Sequence, residues 1–448
     1  KKPGLREEWF GPEARLLSWL EQNSTEFGTI RVLSTLLGFF IWYGEQHQGF
    51  VSPLRKSDIP PRSNRPAKTT KALIPRTILD EAKGICRELL KLAFAEKAEV
   101  PEAFHCAKLF ELLLVCRLPV RGLGFAPRLV PVLPAILLTL LTLPIRSIQA
   151  RLLDSGEADA EYPVIKPGGG PLCERILWRR NKLGLAMAKR REGWLRRIHD
   201  GSTWRNYLGF WVNTNKTAAV GRGDARDFGF EIPWQHEELI GTLLALREWQ
   251  VTHNPVSQLT SRADLSEKAI RPSAALAKRM PSYAYLFRHP REGSVTTWHE
   301  PAQYDAVSAF FLTVLEEVEA RRRGTPNEVQ LILTRDRLGK PTSAEFTLHG
   351  LRVAGITAFA EAGVPAPIIA EFLAGHMTVL MTVYYQKFGP ASVTRMLNEA
   401  LSALDRSRLA DALAGQHDAQ HLREMFVSGV GDALATAADV QPGLWAIK

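Results

Sequence analysis

Cysteine is scarce in this chain: Cys86, Cys106, Cys116 and Cys173 are the four in 448 residues, with no C-x-x-C pair and no regular spacing. That argues against a disulfide scaffold and the usual zinc frameworks, and a reducing, cytoplasmic setting is expected. An unbroken apolar run of membrane length is missing too. The nearest approach, Leu129 to Ile145, is interrupted by Pro131, Pro134 and Pro144 and runs straight into Arg146, so it reads as a buried core helix. A membrane-associated protein would rest on that segment alone. No signal-peptide pattern opens the chain at Lys1-Lys2-Pro3, and internal repeats and long low-complexity runs are absent. Acidic residues are in deficit: 47 Asp and Glu against 57 Lys and Arg give a net charge of +10, which favours a polyanionic partner, nucleic acid or an anionic membrane surface.

What is present is a globular composition, 45% hydrophobic, with length enough for more than one domain. Residues 1–54 read as a small helical domain, carried by Leu17, Leu20, Ile30, Leu33, Leu36, Leu37, Phe40, Ile41 and Tyr43. From 55 to 76 the composition shifts to Pro, Ser, Asn and Thr, with Arg55, Lys56, Arg62, Arg65, Lys68, Lys71 and Arg76 against Asp58, which reads as an extended basic linker or a plain tether. Helices are expected over Ile78 to Leu92, Phe104 to Leu118, Glu237 to Trp249 and Asp305 to Arg323, and a strand over Val329 to Leu333. Beyond 391 a helical tail is expected, with Met396, Leu397, Leu401, Leu404, Leu409 and Leu413 at helical spacing.

A second basic concentration runs from Lys166 to Arg197, with ten basic residues against Glu174 and Glu192. Arg175, Arg179, Lys182, Lys189, Arg196 and Arg197 would share one broad face of a helix and could track phosphates. An ordinary solvated face is the alternative.

The chemistry concentrates near the C-terminal end of the globular part. Phe346-Thr-Leu-His-Gly-Leu-Arg-Val353 is followed by Ala374-Gly-His376 and Val383-Tyr-Tyr385. Attack on a phosphodiester needs a nucleophile, cations on the non-bridging oxygens and a proton donor for the leaving oxygen, and histidine, arginine and tyrosine together can supply them. His349 and Arg352, three apart, would lie on one face of a helix that Gly363 stops. Pro365 then suits the first turn of a helix carrying Ile368, Ile369, Phe372 and Leu373 inward and leaving His376 at its end. Arginine at 352 fits a phosphate through its planar, permanently charged fork. Tyrosine, with a free pKa of about 10, needs such a cationic pocket to attack near neutrality.

These residues resemble the tyrosine recombinase (phage integrase) superfamily, whose second motif reads His-x-x-Arg, then Gly-His, then a nucleophilic Tyr nine residues on. The ninth residue after His376 is Tyr385, with Tyr384 beside it as the alternative, because the interval from His349 to His376 is one residue longer than the family's usual one. Thr382 and Gly363 also stand where the family has them. The family's upstream Gly-Leu-Arg-x-x-Glu is matched best by Leu143-Pro-Ile-Arg-Ser-Ile-Gln149, which makes Arg146 the first catalytic arginine by resemblance. Gln149 replaces the usual acid there, yet an amide could still hold a neighbour by hydrogen bonding. Phe210-Trp-Val-Asn-Thr-Asn-Lys-Thr217 supplies a strand and turn in which Lys216 would be the general acid. Arg146 could instead be a snorkelling cap, and Lys216 a turn lysine.

The resemblance implies a mainly α (α+β) fold: a helical DNA-gripping domain (1–54), a basic linker (55–76), a largely helical catalytic domain with a small antiparallel sheet (77–390) and a helical tail (391–448). It implies site-specific recombination, of the kind mobile genetic elements use, on double-stranded DNA with a specific core site. A 3′-phosphotyrosyl intermediate, a homotetramer on paired sites, and no metal, cofactor or membrane are implied with it. The spacing from Arg146 to Lys216 exceeds the family's usual one, so an insertion over roughly 160 to 205 is expected. A type IB topoisomerase and a catalytically silent DNA-binding relative remain the alternatives.

Overall fold

The computed structural model describes residues 19, 22–23, 26–47, 49–59, 72–95, 104–120, 124–200, 205–214, 229–261, 264–266, 282–291 and 295–374. The chain divides into two compact units, Lys1–Ala67 and Lys68–Lys448. In the first, helix α1 (Glu26–Gln46) buries Leu33 against Leu54, with Leu36, Leu37, Phe40 and Ile59 packed around them. Ile41, part of the apolar pattern of this segment, is exposed, as is Trp42. Arg55 and Lys56 are exposed; the Arg55 backbone is extended, and Lys56–Asp58 is a 3-10 turn in which the Arg55 N–H donates to Asp58 Oδ2 at 2.6 Å.

The second unit is built around α4 (Val132–Thr142), whose first ten residues are all buried. Its uniform apolarity, the expected core helix, leaves no polar face to turn to water. Pro134 falls in its first turn, where no intrahelical N–H is lost, and Pro144 stops the chain from continuing the helix. Four helices pack on it: α2 (Arg76–Phe94), α6 (Glu237–His253), α7 (Tyr304–Arg322) and α8 (Leu348–Glu361). Among the described residues no helix is long and apolar enough to cross a membrane.

Small antiparallel sheets flank these helices, which makes the fold mainly α with α+β character. β1 (Leu114–Val120) pairs with β2 (Gly124–Leu129), β3 (Glu161–Ile165) with β4 (Ile176–Arg180), and β8 (Ile332–Arg335) with β9 (Pro341–Ala344). β5 (Leu195–Asp200), β6 (Arg205–Val212) and β7 (Phe230–Ile232) form one three-stranded sheet.

Two expectations fail here. The helix expected over Phe104 to Leu118 is only α3 (Lys108–Glu111), after which the chain turns into β1. Pro119 and the branched Val115 and Val120 disfavour helix and suit a strand, with Pro119 paired opposite Phe125. The helix expected from Lys166 to Arg197 is absent, because the run Gly168-Gly169-Gly170-Pro171 makes a loop and the chain on either side zips into β3 and β4. Across roughly 160 to 205 the described residues form β3, β4 and β5 with loops between them. The strand forecast at Val329 begins three residues later, at Ile332.

Candidate active site

Helix α8 starts where its sequence says it should: Thr347 is the N-cap, its side chain accepting from the Gly350 N–H at 3.3 Å. It ends at Gly363, which has the left-handed φ of +83° that favours glycine. The helix is buried nearly all round, with Leu351, Val353, Ala354 and Ile356 in the core. Two glycines bring the helix close to its neighbours. A Cβ on Gly350 would lie 3.6 Å from the Ala72 carbonyl oxygen, and one on Gly355 would lie 3.1 Å from Pro144 Cβ.

That approach sets the central contact of the site. Because Pro144 ends α4, its carbonyl is available to a side chain, and Arg352 Nη1 donates to it at 2.7 Å across 208 residues of sequence. Arg352 is 1% exposed. Its guanidinium is thereby held beside the segment Pro144-Ile145-Arg146, so the two arginines singled out by motif come from strands of chain that meet.

Arg146 is half-buried and caps α5 (Ser147–Arg151). Its N–H donates to Gln149 Oε1 at 2.8 Å, one half of a capping box. Gln149 is 1% exposed, and its Nε2 donates to the Thr214 carbonyl at 3.0 Å. Asn213 Nδ2 donates to the Leu152 carbonyl at 2.6 Å. The C-terminal end of β6 is thus fastened twice to α5, and the chain between β6 and β7 is the one that carries Lys216.

The pair His349 and Arg352 sits on one helix as expected, but not in one environment: His349, in the first turn, is exposed, while Arg352, one turn on, is buried. Ile368 is exposed as well, whereas Ile369 and Leu373 are buried, because the short helix α9 (Ala366–Ile368) passes into a π-helical turn, Ile369–Ala374. Lys216, His376, Tyr384 and Tyr385 lie outside the described residues, as do Arg62, Arg65, Lys68, Lys71 and the tail.

The Lys166 to Arg197 cations do not share a helical face. Arg179, Lys182 and Lys189 are exposed on β4 and the loop after it. Arg175 Nη1 donates to the Gly168 carbonyl at 2.9 Å. Arg196 and Arg197 are successive residues of β5 and so point to opposite faces. Arg196 stacks 3.6 Å above the Trp211 ring and lies 3.7 Å from Glu231, and burial pushes its guanidinium pKa down. Arg197 is paired with Glu161 at 2.5 Å.

Sequence reasoning missed a buried ionic knot just beyond α5. Asp154, fully buried, takes Arg190 Nη2 at 2.7 Å, and the same guanidinium reaches Asp159 Oδ1 at 2.7 Å. Burial pushes the Asp154 carboxyl up, and Arg190 pulls it back. Glu157 and Arg288, both buried, pair at 2.9 Å. Gly193 closes over this knot, since a Cβ there would stand 2.8 Å from Asp159 Oδ2. Asp154-Ser155-Gly156-Glu157 reads as turn formers in sequence; the available signal was carboxylates set among Leu152, Leu153 and Ala158.

Residues 129–262 match the family described as "Putative integrase". The matched segment takes in α4, Arg146, α5 and β3 through β7, and agrees with the resemblance to the tyrosine recombinase superfamily. Among solved structures, the integrase of the Tn1549 transposon in complex with transposon right end DNA is similar at 11% identity, over 86% of this chain and 82% of that one, with a TM-score of 0.33. No curated protein matches.

Proposed function

We propose that this chain is a tyrosine-type site-specific DNA recombinase of a mobile genetic element, acting on double-stranded DNA with a specific core site and assembling as a tetramer on paired sites. The observation that carries the reading is the hydrogen bond from Arg352 Nη1 to the Pro144 carbonyl at 2.7 Å, which holds the His-x-x-Arg helix against the segment bearing Arg146. Two permanently charged forks carried on segments that meet would suit the developing charge of a phosphoryl transition state. The integrase-family match over 129–262 supports the same reading.

In this scheme the Tyr385 oxygen attacks a DNA phosphorus and the 5′ oxygen leaves, giving a 3′-phosphotyrosyl bond and a free 5′ hydroxyl. His349 takes or orients the tyrosine proton, and Lys216 protonates the leaving oxygen. Arg146, Arg352 and His376 bind the non-bridging oxygens. A 5′ hydroxyl from a second strand reverses the step. By resemblance to the family, no metal or cofactor takes part.

The test uses a nicked duplex that traps the covalent step. Tyr385→Phe is expected to bind duplex and form no adduct, Tyr384→Phe to form one, and a chelator to change neither. Interchanged results would move the nucleophile by one residue.

A further inference from the structure

We infer that Gln149 is a positioning residue that couples the Arg146 backbone to the chain leading to Lys216. The inference rests on the recombinase reading and deepens it. Gln149 is fully enclosed, and its amide faces one donor and one acceptor: the Arg146 N–H at 2.8 Å and the Thr214 carbonyl at 3.0 Å. Those two partners fix which way the amide points. A carboxylate, the residue type that the family places here, is an acceptor only and would satisfy Arg146 while repelling Thr214. Glutamine is therefore the side chain this particular junction requires, and its presence is not the loss of a buttress.

What the amide joins is informative. Thr214 lies at the end of β6, two residues before Lys216, and Asn213 fastens the same strand end to the Leu152 carbonyl at 2.6 Å. The bridge spans 65 residues and ties the backbone of the first arginine to the exit of β6. Displacement of a catalytic group by about 1 Å costs on the order of 10²-fold in rate, so loss of the bridge should appear in the chemical step.

The experiment measures duplex affinity and single-turnover adduct formation against pH for the wild type, Gln149→Glu and Gln149→Met. Gln149→Met keeps the volume without either hydrogen bond and is expected to bind duplex normally and to cleave about 10–10²-fold more slowly at every pH. Gln149→Glu should be equally slow where its carboxyl is ionised. It should recover as the pH falls, because the protonated acid can again donate to Thr214; burial and the facing carbonyl raise that pKa above the usual ~4.3. The wild type should lack this recovery.

A Gln149→Glu profile parallel to wild type, or wild-type cleavage by Gln149→Met, overturns the inference while leaving the recombinase reading intact. Should Gln149→Glu not fold, Gln149→Met decides: slow cleavage at unchanged affinity supports the bridge, and wild-type cleavage removes it. A wild type that forms no adduct takes down the recombinase reading and this inference together.

Discussion

Arg352 has two tasks, and they can be separated at the scale of a single residue. It holds the Pro144 carbonyl, and in the proposed chemistry it offers further donors of its guanidinium to phosphate. Arg352→Ala should therefore destabilise the fold by about 1–3 kcal/mol, since a buried acceptor loses its donor. It should also slow cleavage by about 10²–10³-fold. Arg352→Lys can keep the contact to Pro144 but cannot fork a phosphate, so thermal stability should recover more than rate. Arg146→Ala should bring a rate loss of the same order. Thermal melts beside single-turnover assays check both, and full activity in Arg146→Ala would show that another arginine fills its role. The His-x-x-Arg pair was legible because a helix carries it. Its unequal burial was not, because that depends on Pro144, which is remote in sequence.

At the scale of elements, the site depends on how closely α8 approaches the end of α4. Gly355→Val places branched carbon where a Cβ already meets Pro144 at 3.1 Å, so α8 must shift. The expected cost is about 1–3 kcal/mol, with a parallel fall in cleavage and unchanged binding to random duplex. A variant as stable and active as the wild type would mean that α8 and Pro144 are not held in this register. The helices α2, α4, α6, α7 and α8 could be read from sequence, since each shows a continuous apolar run or a helical period, and α8 has a capping Thr347 and a closing Gly363. Phe104 to Leu118 was misread because a short apolar run suits helix and strand alike, and Pro119 and its neighbours decided for strand. The Lys166 to Arg197 segment was misread because charges spaced for a helix also occur along hairpins, where glycine and proline outrank charge spacing. The knot of Asp154, Arg190, Glu157 and Arg288 has no local signature, since its partners lie far apart in the chain and only the folded contacts reveal it.

On the scale of the whole molecule, the net charge of +10 predicts a salt-dependent hold on DNA. The structure sorts the cations that could supply it. Arg179 and Lys189 are exposed, and each changed to Ala should reduce the slope of log affinity against log salt by about one unit for any duplex, as should Lys68→Ala, with sequence preference kept. Arg197→Ala should change the slope less, since Glu161 already holds that guanidinium. Salt titrations on specific and random duplexes check this, and equal slopes in every variant would return both segments to ordinary solvated surface. The central claim is that one phosphate site, assembled from the Arg146 and Arg352 segments, serves a tyrosine nucleophile. Its most direct test is to trap the adduct on a nicked duplex, digest both components and locate the nucleotide by mass spectrometry. The account predicts a 3′-phosphate ester on the Tyr385 side chain, lost in both Arg146→Ala and Arg352→Ala. An adduct on any other residue, a 5′ linkage, or no adduct from the wild type would contradict it.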